Sequence, residues 1–267
     1  MDQQASIGGL IQTWRRARRM SQLDLAGESG ISTRHLSFVE SGRARPSRGM
    51  VLRLSTALRV PARAENEMLL VAGFAPSRRE TAYDAPEMAE AIAAVRMLLA
   101  RHDPYPAVAM DPRWDIVMAN AAYAASVNAC GPAARGCAPI AAMAVVPPPR
   151  PNVLRLLCHP DGLRHQLANW AEVVRDIVDR VRREVARDGD PIRRALLDEA
   201  LVQPGMPAAE PTPATAPIAL IVPVALRAGG RIHRFFSTIA TLGTAQDITL
   251  QELRIETLHP IDPPTGA

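Results

Sequence analysis

The sequence of 267 residues contains no lysine, so arginine supplies all of the permanent positive charge on its side chains. Contacts with a polyanion must therefore come from guanidinium groups, whose planar fork suits bidentate binding of phosphate or guanine. A GC-rich genome, which favours arginine codons, would produce the same bias, and the two explanations are compatible.

Cysteine is also scarce, and Cys130, Cys137 and Cys158 have a spacing unlike that of any zinc site. A metal site formed by Cys158, His159 and His165 is a weaker alternative, so we predict no metal. A redox switch between Cys130 and Cys137 stays open. Because we find no signal peptide, the cysteines indicate mainly reduced thiols in the cytoplasm.

Several function classes lack their sequence signals. No stretch reaches the roughly eighteen apolar residues of a membrane span, so we expect no membrane partner. There is no G-x-S-x-G motif and no pair of catalytic carboxylates, and the six histidines are scattered. The pairs Gly8-Gly9 and Gly229-Gly230 lack the strand-loop-helix frame of a nucleotide-binding loop. We therefore expect neither an enzyme nor a cofactor.

Charge is distributed unevenly along the chain. Residues 1–79 contain thirteen arginines and six acidic residues, whereas residues 80–267 contain eighteen and twenty-one. A basic first third joined to a slightly acidic remainder indicates a polyanion-binding module attached to a second domain. We place the first domain at residues 1–78 and the second at residues 79–267.

Residues 21–42 predict two short helices joined by a tight turn. Ser21 stands at an N-cap position, and Asp24 completes an acidic variant of the capping box. Gly30-Ile31 forms the turn, and Ser32 caps the second helix. This is the layout of a helix-turn-helix, whose second helix enters the major groove of DNA.

Apolar residues at helical spacing predict one helix before this motif and two after it, which makes a compact five-helix, all-α unit. The first 75 residues resemble the xenobiotic-response-element (Cro/C1) type of helix-turn-helix domain, whose fold is that of lambda-type repressors. The matching residues are the arginine-rich first helix, the segment SQLDLA, the turn 30–32 and the closing run 39–43.

The resemblance implies a set of contacts with double-stranded DNA. Phosphate contacts are implied for Gln22, Ser32 and Arg43. Contacts with base edges are implied for Thr33, Arg34 and Ser37, although an exposed side chain without a DNA contact is the alternative for Arg34. Phe38 either touches a thymine methyl group or packs within the domain, and both interpretations stay open.

The second domain combines helices with strands that lie early and late in the sequence. Early strands are predicted at residues 107–110 and 114–118, followed by a helix over 121–127 and a loop over 131–151. Helices follow at residues 163–185 and 192–202. Strict alternation of apolar and other residues predicts a strand over 218–226. A turn at Gly229-Gly230 and two further strands, at 231–241 and 248–258, would complete an antiparallel meander. We expect an α+β domain whose order resembles a PAS-like sensor fold.

Several segments of the second domain resemble the ligand-binding domain of MmyB-type transcription regulators. They are HDPYPAVAMDPRWDIVMANAA, residues 152–157, 159–163 and 169–170, and the closing FFST…LGTAQDITLQELRIETLHP. The resemblance implies a small apolar or fatty-acid-like ligand. The proline-rich run 204–217 departs from the family pattern and leaves one wall of the pocket undefined.

Aromatic and flexible apolar side chains are the candidates for this pocket. The predicted lining residues are Trp114, Met118, Tyr123, Leu157, Trp170, Phe235 and Phe236. Arg155, His159 or Arg164 is expected to meet a carboxylate or another anionic group. Ordinary core packing is the alternative for the apolar set, and a solvated surface is the alternative for the three polar residues.

We therefore expect a cytoplasmic, sequence-specific, DNA-binding transcription regulator that senses a small apolar ligand. One recognition helix covers about half of a specific site, so a homodimer is expected. Two alternatives stay open: a second domain that is a dimerisation scaffold without a ligand, and a vestigial enzyme domain attached to the DNA-binding head.

Overall fold

The computed structural model describes residues 6–207, 222–243 and 245–261. The chain divides into two compact units. The first consists of the residues up to Glu80 and of Ala186–Gly189, and the second consists of Thr81–Val185 and the residues from Asp190 onward. The predicted domain bounds, 1–78 and 79–267, stay a prediction.

Five helices lie in the described part of the first unit, in agreement with the prediction. They are α1 (Ile7–Ala17), α2 (Gln22–Ser29), α3 (Thr33–Glu40), α4 (Arg48–Ala57) and α5 (Ala62–Val71).

Serine caps determine where four of these helices begin. Ser6, Ser21, Ser32 and Ser47 each accept a hydrogen bond from the backbone N–H three residues later, at the starts of α1, α2, α3 and α4. Such a cap satisfies one of the N–H groups that a helix leaves unpaired. The predicted capping box is confirmed, because Asp24 Oδ2 accepts a hydrogen bond from the Ser21 N–H at 2.8 Å.

Helices α1 and α3 approach each other closely at Gly8. A Cβ atom there would lie 2.5 Å from the carbonyl oxygen of Glu40 and 2.6 Å from that of Val39. Only glycine therefore lets α1 rest against the last turn of α3. Around this contact lies an apolar core in which Ile11, Leu25 and Leu36 are fully buried.

The second unit contains helices on both sides of a sheet. Its longer helices are α6 (Ala89–Ala100), α7 (Ala121–Asn128), α10 (Trp170–Asp188) and α11 (Pro191–Leu201). Shorter ones are α8 (Pro132–Arg135), α9 (Val153–Cys158) and α12 (Ile248–Gln251). The strands of the described residues are β1 (Ala107–Met110), β2 (Ile116–Ala119), β3 (Val224–Ala228), β4 (Arg231–Ala240) and β5 (Arg254–Pro260).

These five strands of the described residues form one antiparallel sheet in the order β2-β1-β5-β4-β3. The last strand in sequence therefore lies beside the first, at the centre of the sheet. The predicted α+β fold with an antiparallel, PAS-like sheet is confirmed.

Alternation along the strands separates two apolar layers. Ala107 and Ala109 of β1 pack with α6 on one face of the sheet. Val108 and Met110 point to the other face, where they pack with residues of α7, α9 and α10. Strand side chains alternate between the two faces, so a four-residue strand that is buried throughout contributes to both layers.

Hydrogen bonds from flanking segments reach both outer strands of the sheet. At β3, the Ala168 N–H donates to the Ala225 carbonyl at 2.7 Å, and the Ala225 N–H donates to Asn169 Oδ1 at 3.0 Å. At β2, the Ile116 N–H donates to the Pro151 carbonyl at 2.9 Å, and the Val117 carbonyl accepts from the Val146 N–H at 2.9 Å. At these positions, the backbone N–H and C=O groups of the two edge strands are therefore hydrogen-bonded to the segments that flank the sheet.

The structure differs from the prediction at the start of the long helix. Helix α10 begins at Trp170 rather than at residue 163, and Leu163–Gln166 forms a short 3-10 helix. Leu167 pairs with Leu226 as an isolated bridge, so the backbone there is strand-like. The helical spacing of apolar residues continues through residues 163–169, although Leu167 and Ala168 pair with β3. The spacing alone therefore does not show where the helix begins.

Three strands begin later than predicted. Trp114 has a φ of 69°, a turn conformation, so β2 starts at Ile116. Residues 248–251 form α12, which Asp247 caps by accepting from the Thr249 N–H, so β5 starts at Arg254. The strand predicted over 218–226 starts at Val224, and its residues 218–221 lie outside the described residues. The predicted loop 131–151 contains α8.

The close approach at Gly8 leads to a stability prediction. We expect Gly8→Ala to destabilise the first unit by about 1–3 kcal/mol, because the new methyl group meets backbone oxygens that cannot move independently. Hydrogen exchange of α1 and α3 in the full chain, followed by mass spectrometry, measures this loss of protection.

Gly27→Ala on α2 is the matched control. An added Cβ at Gly27 meets nothing within 4 Å, so alanine is expected to leave protection unchanged or to stabilise the helix by up to about 1 kcal/mol. Equal protection in the two variants would contradict the role that we assign to the α1–α3 contact.

Candidate functional site

Helix α3 presents one exposed and one buried face. Thr33 and Arg34 are exposed, whereas Leu36 and Val39 are fully buried. Ser37 and Phe38 are half-buried between these two faces. The helix is therefore fixed by its apolar residues, and its polar residues project away from the core.

Phe38 has a contact that sequence analysis did not anticipate. The Arg34 guanidinium lies over the Phe38 ring, with Cζ 5.5 Å from the ring centroid. A cation–π contact of this kind restricts the positions that the guanidinium samples. Phe38 therefore supports Arg34, and the two alternatives predicted for Phe38, contact with a thymine methyl group or packing within the domain, both stay open.

A buried carboxylate joins the first three helices. Arg15 Nε and Nη2 donate to the two carboxylate oxygens of Glu40 at 2.8 and 3.0 Å. Gln22 Nε2 donates to Glu40 Oε2 at 2.6 Å, and Gln12 Nε2 donates to the Glu40 backbone carbonyl at 3.1 Å. The Glu40 side chain is only 2% exposed. The orientation of α3 against α1 and α2 therefore depends on this group.

Gln22, a predicted phosphate contact, takes part in that network. Its side-chain amide carries two hydrogens, so one hydrogen bond to Glu40 is compatible with a second one to a phosphate. The other predicted phosphate contacts, Ser32 and Arg43, are exposed. The Arg43 N–H donates to the Phe38 carbonyl at 2.8 Å, which fixes the start of the basic loop after α3.

The second unit contains a cavity of about 80 Å³ between the sheet and helices α7, α9 and α10. Most of its lining is apolar, and the polar side chains are those of Tyr123, Ser126 and Glu256. The lining residues are Pro106, Tyr123, Ser126, Val153, Leu157, Leu163, Leu167, Val173, Ile177, Val224, Leu226, Glu256 and Leu258. An engineered apolar cavity that holds benzene measures about 150 Å³, so this one has space for a few heavy atoms.

Two ionisable side chains of the cavity, Tyr123 and Glu256, are half-buried, and burial shifts the pKa of each. Burial raises the pKa of Tyr123, and the negative charge of Glu256 raises it further. Burial also raises the pKa of Glu256, while a hydrogen bond with Ser237 and the charge of Arg180 act in the opposite direction. The Tyr123 hydroxyl makes no hydrogen bond to any residue that the structure describes.

Comparison with known families assigns both units. A helix-turn-helix model matches residues 11–64. The model of the MmyB-like transcription regulator ligand binding domain matches residues 91–267, which is more than half of the chain. The chain belongs to the MmyB-like transcription regulators. A comparison with curated proteins finds no match.

This MmyB-like protein is therefore a DNA-binding transcription regulator with a ligand-binding domain. Neither matched family is a family of enzymes. Within residues 6–207, 222–243 and 245–261, no helix is long and apolar enough to cross a membrane.

In the MmyB-like domain, two of the seven predicted ligand residues, Tyr123 and Leu157, line the cavity. Trp114 is buried in the core, and its Nε1 donates to Glu184 Oε2 at 3.1 Å. Met118 is fully buried on the opposite face of the sheet, where it packs with residues of α6.

The other three aromatic candidates make contacts outside the cavity lining. Trp170 Nε1 donates to the Leu157 carbonyl at 2.7 Å. Phe235 is buried and meets Tyr105, with 6.0 Å between the ring centroids. Phe236 stacks on His259, with 5.0 Å between the ring centroids.

The three predicted polar partners of an anionic ligand also lie outside the cavity lining. Arg155 forms a bidentate ion pair with Glu199, with both N–O distances at 2.8 Å. The Arg164 guanidinium lies 4.0 Å from the Trp170 ring centroid and donates to the Pro204 carbonyl. His159 Nδ1 accepts from the Asp161 N–H at 3.0 Å.

Glu256, whose carboxyl group lines the cavity, is not among the predicted ligand residues. Its signal in the sequence is weak, because it is a single acidic residue between Ile255 and Thr257 in a strand that also contains Arg254. Which face of the sheet it occupies follows from the register of β5 with β1, where Glu256 is opposite Val108.

The cysteines are largely withdrawn from solvent. Burial raises the pKa of Cys130 to about 11 and that of Cys158 to about 12. Burial also raises the pKa of Cys137, which is only half-buried. In the described part of the chain, no three His, Cys, Asp or Glu side chains form a group that could hold a metal ion.

Alkylation kinetics should reflect these pKa values. Since the thiolate is the reactive species, a thiol with a pKa of about 11 is ionised to about a thousandth at pH 8. We expect iodoacetamide to modify Cys137 first and to modify Cys130 and Cys158 slowly in the native protein. Mass spectrometry of peptides measures the three rates, and denatured protein, in which the rates should converge, is the control. Rapid modification of native Cys130 would instead favour the redox hypothesis.

Proposed function

We propose that the protein acts as a homodimer that binds a specific operator, with α3 reading the major groove. The support is the exposed pair Thr33 and Arg34 and the basic loop 43–47 that follows α3. A single recognition helix covers about half of a specific site, and a second copy on the other half-site adds affinity and specificity. DNA as the partner favours the cytoplasm as the compartment.

We further propose that the second unit binds a small, largely apolar molecule and that binding changes the affinity for the operator. The observation that carries this proposal is the largely apolar cavity between the sheet and α10. A dimerisation scaffold without a ligand would need no such space. A long fatty-acid-like ligand would have to displace lining side chains, because the cavity measures only about 80 Å³.

The proposed base contact of Arg34 can be tested on an operator selected from random DNA. We expect Arg34→Ala to weaken operator binding by about tenfold or more, since one bidentate base contact contributes about 1–3 kcal/mol. Binding to unrelated DNA should change much less. Phe38→Ala should reproduce part of the loss, because it removes the ring beneath the guanidinium. Competition binding with single-base operator variants measures the discrimination.

Arg53→Ala on α4 is the matched control, because it removes an equally exposed arginine from the same unit. It should preserve the ratio of specific to non-specific affinity. If Arg34→Ala also preserves that ratio, Arg34 does not read bases.

The ligand proposal predicts what native mass spectrometry will detect. We expect freshly purified protein to be a dimer that releases a small organic molecule when it is denatured. Ile177→Phe, which enlarges a side chain of the cavity wall, should remove most of this molecule because it fills the space.

Ile192→Phe makes the same change at an exposed position on α11 and should leave occupancy unchanged. Similar hydrogen exchange in both variants ensures that folding is intact. An empty dimer would favour the scaffold, and a monomer would contradict binding to a symmetric operator.

A further inference from the structure

The cavity has an acidic polar group rather than a basic one. Glu256 extends from β5, the strand that lies between β1 and β4, and its carboxyl group is among the lining groups. The remaining polar lining groups are the hydroxyls of Tyr123 and Ser126. Ser126 Oγ already donates to the Ala122 carbonyl at 3.3 Å.

The positive charge that acts on Glu256 is shared with a second carboxylate. Arg180 on α10 interacts electrostatically with Glu256, but it does not line the cavity. Its Nε lies 3.7 Å from Glu184 Oε1. Arg180 therefore faces two acidic groups, and neither lysine nor arginine is among the lining residues that the structure describes.

A carboxylate inside this cavity would lie near Glu256, which is a like charge when it is ionised and which is half-buried, so that water screens the two charges less than in bulk solvent. Repulsion between like charges and the cost of desolvation both oppose such a ligand. A hydroxyl or amine, in contrast, can donate to Glu256, and an oxygen of the carboxyl group accepts in either protonation state. The Tyr123 hydroxyl can accept or donate, so it suits the same polar group without selecting its charge.

We propose that the cavity selects a small ligand with an apolar body and a hydrogen-bond donor, a hydroxyl or an amine, directed at Glu256, and that it rejects carboxylates. This inference rests on the proposed ligand site. It predicts an inducer chemistry opposite to the fatty-acid-like ligand that the family resemblance suggests.

Three probes of equal chain length test the proposal: butanol, butylamine and butyrate. Saturation-transfer NMR titrations with the full-length protein at neutral pH give the three dissociation constants. We expect butanol or butylamine to bind about tenfold or more tightly than butyrate, the difference expected when a buried charged group faces an incompatible partner.

Substitution of Glu256 separates its charge from its shape. Glu256→Gln keeps an acceptor oxygen and nearly the same volume, so butanol should still bind, and the gap between butanol and butyrate should fall to about threefold or less. Glu90→Gln, at an exposed position of α6, is the matched control and should leave the gap unchanged.

Ile177→Phe identifies binding in the cavity, because signals from that site should disappear in this variant. Butyrate that binds in the cavity as tightly as the other two probes would overturn the donor preference and leave the ligand site in place. If no probe gives a signal that is sensitive to Ile177→Phe, the ligand site itself is overturned, and the inference with it.

Discussion

The first unit depends on one buried ion pair, in which Arg15 of α1 holds the last residue of α3. Two charges are expensive to remove from water, and here both carboxylate oxygens of Glu40 accept hydrogen bonds, which compensates for that cost. Removing either partner would leave an uncompensated buried charge. Because α3 also carries the exposed side chains that we assign to DNA, the same pair determines where Arg34 points. The stability of the unit and the orientation of α3 are therefore coupled through Glu40, the last residue of that helix.

A similar arrangement organises the second unit. Glu184 of α10 accepts from Trp114 Nε1 at 3.1 Å and from Arg254 Nη1 at 2.8 Å, so it connects the long helix to the turn before β2 and to β5. The cavity lies beside this polar cluster, on the same face of the sheet. The cavity therefore has hydrogen-bonded polar side chains on one side and apolar side chains on the other. Ligand sites commonly combine an apolar lining with a few fixed polar groups.

The sequence was most informative where structure is local. Serine caps and apolar spacing locate the helices of the first unit, because both signals act within one or two turns. In the second unit the existence of the strands was predictable, but their starts depended on distant partners: Leu167 pairs with Leu226 and interrupts a helical pattern. The cavity was the least predictable feature. Which aromatic side chains reach it depends on the order of strands in the sheet, and Glu256 acquires its position only through pairing with β1.

The hydrogen bonds along β2 and β3 have a consequence for assembly. A sheet edge with free N–H and C=O groups is a template on which another chain can add a strand. In this protein Ala225 uses both of its backbone polar groups on Ala168 and Asn169, and Ile116 and Val117 are paired with the segments around Pro151 and Val146. Continuation of the sheet from one copy into another would first have to displace these segments. At these positions, strand addition from a second copy is disfavoured, and side-chain surfaces are left for contacts between copies.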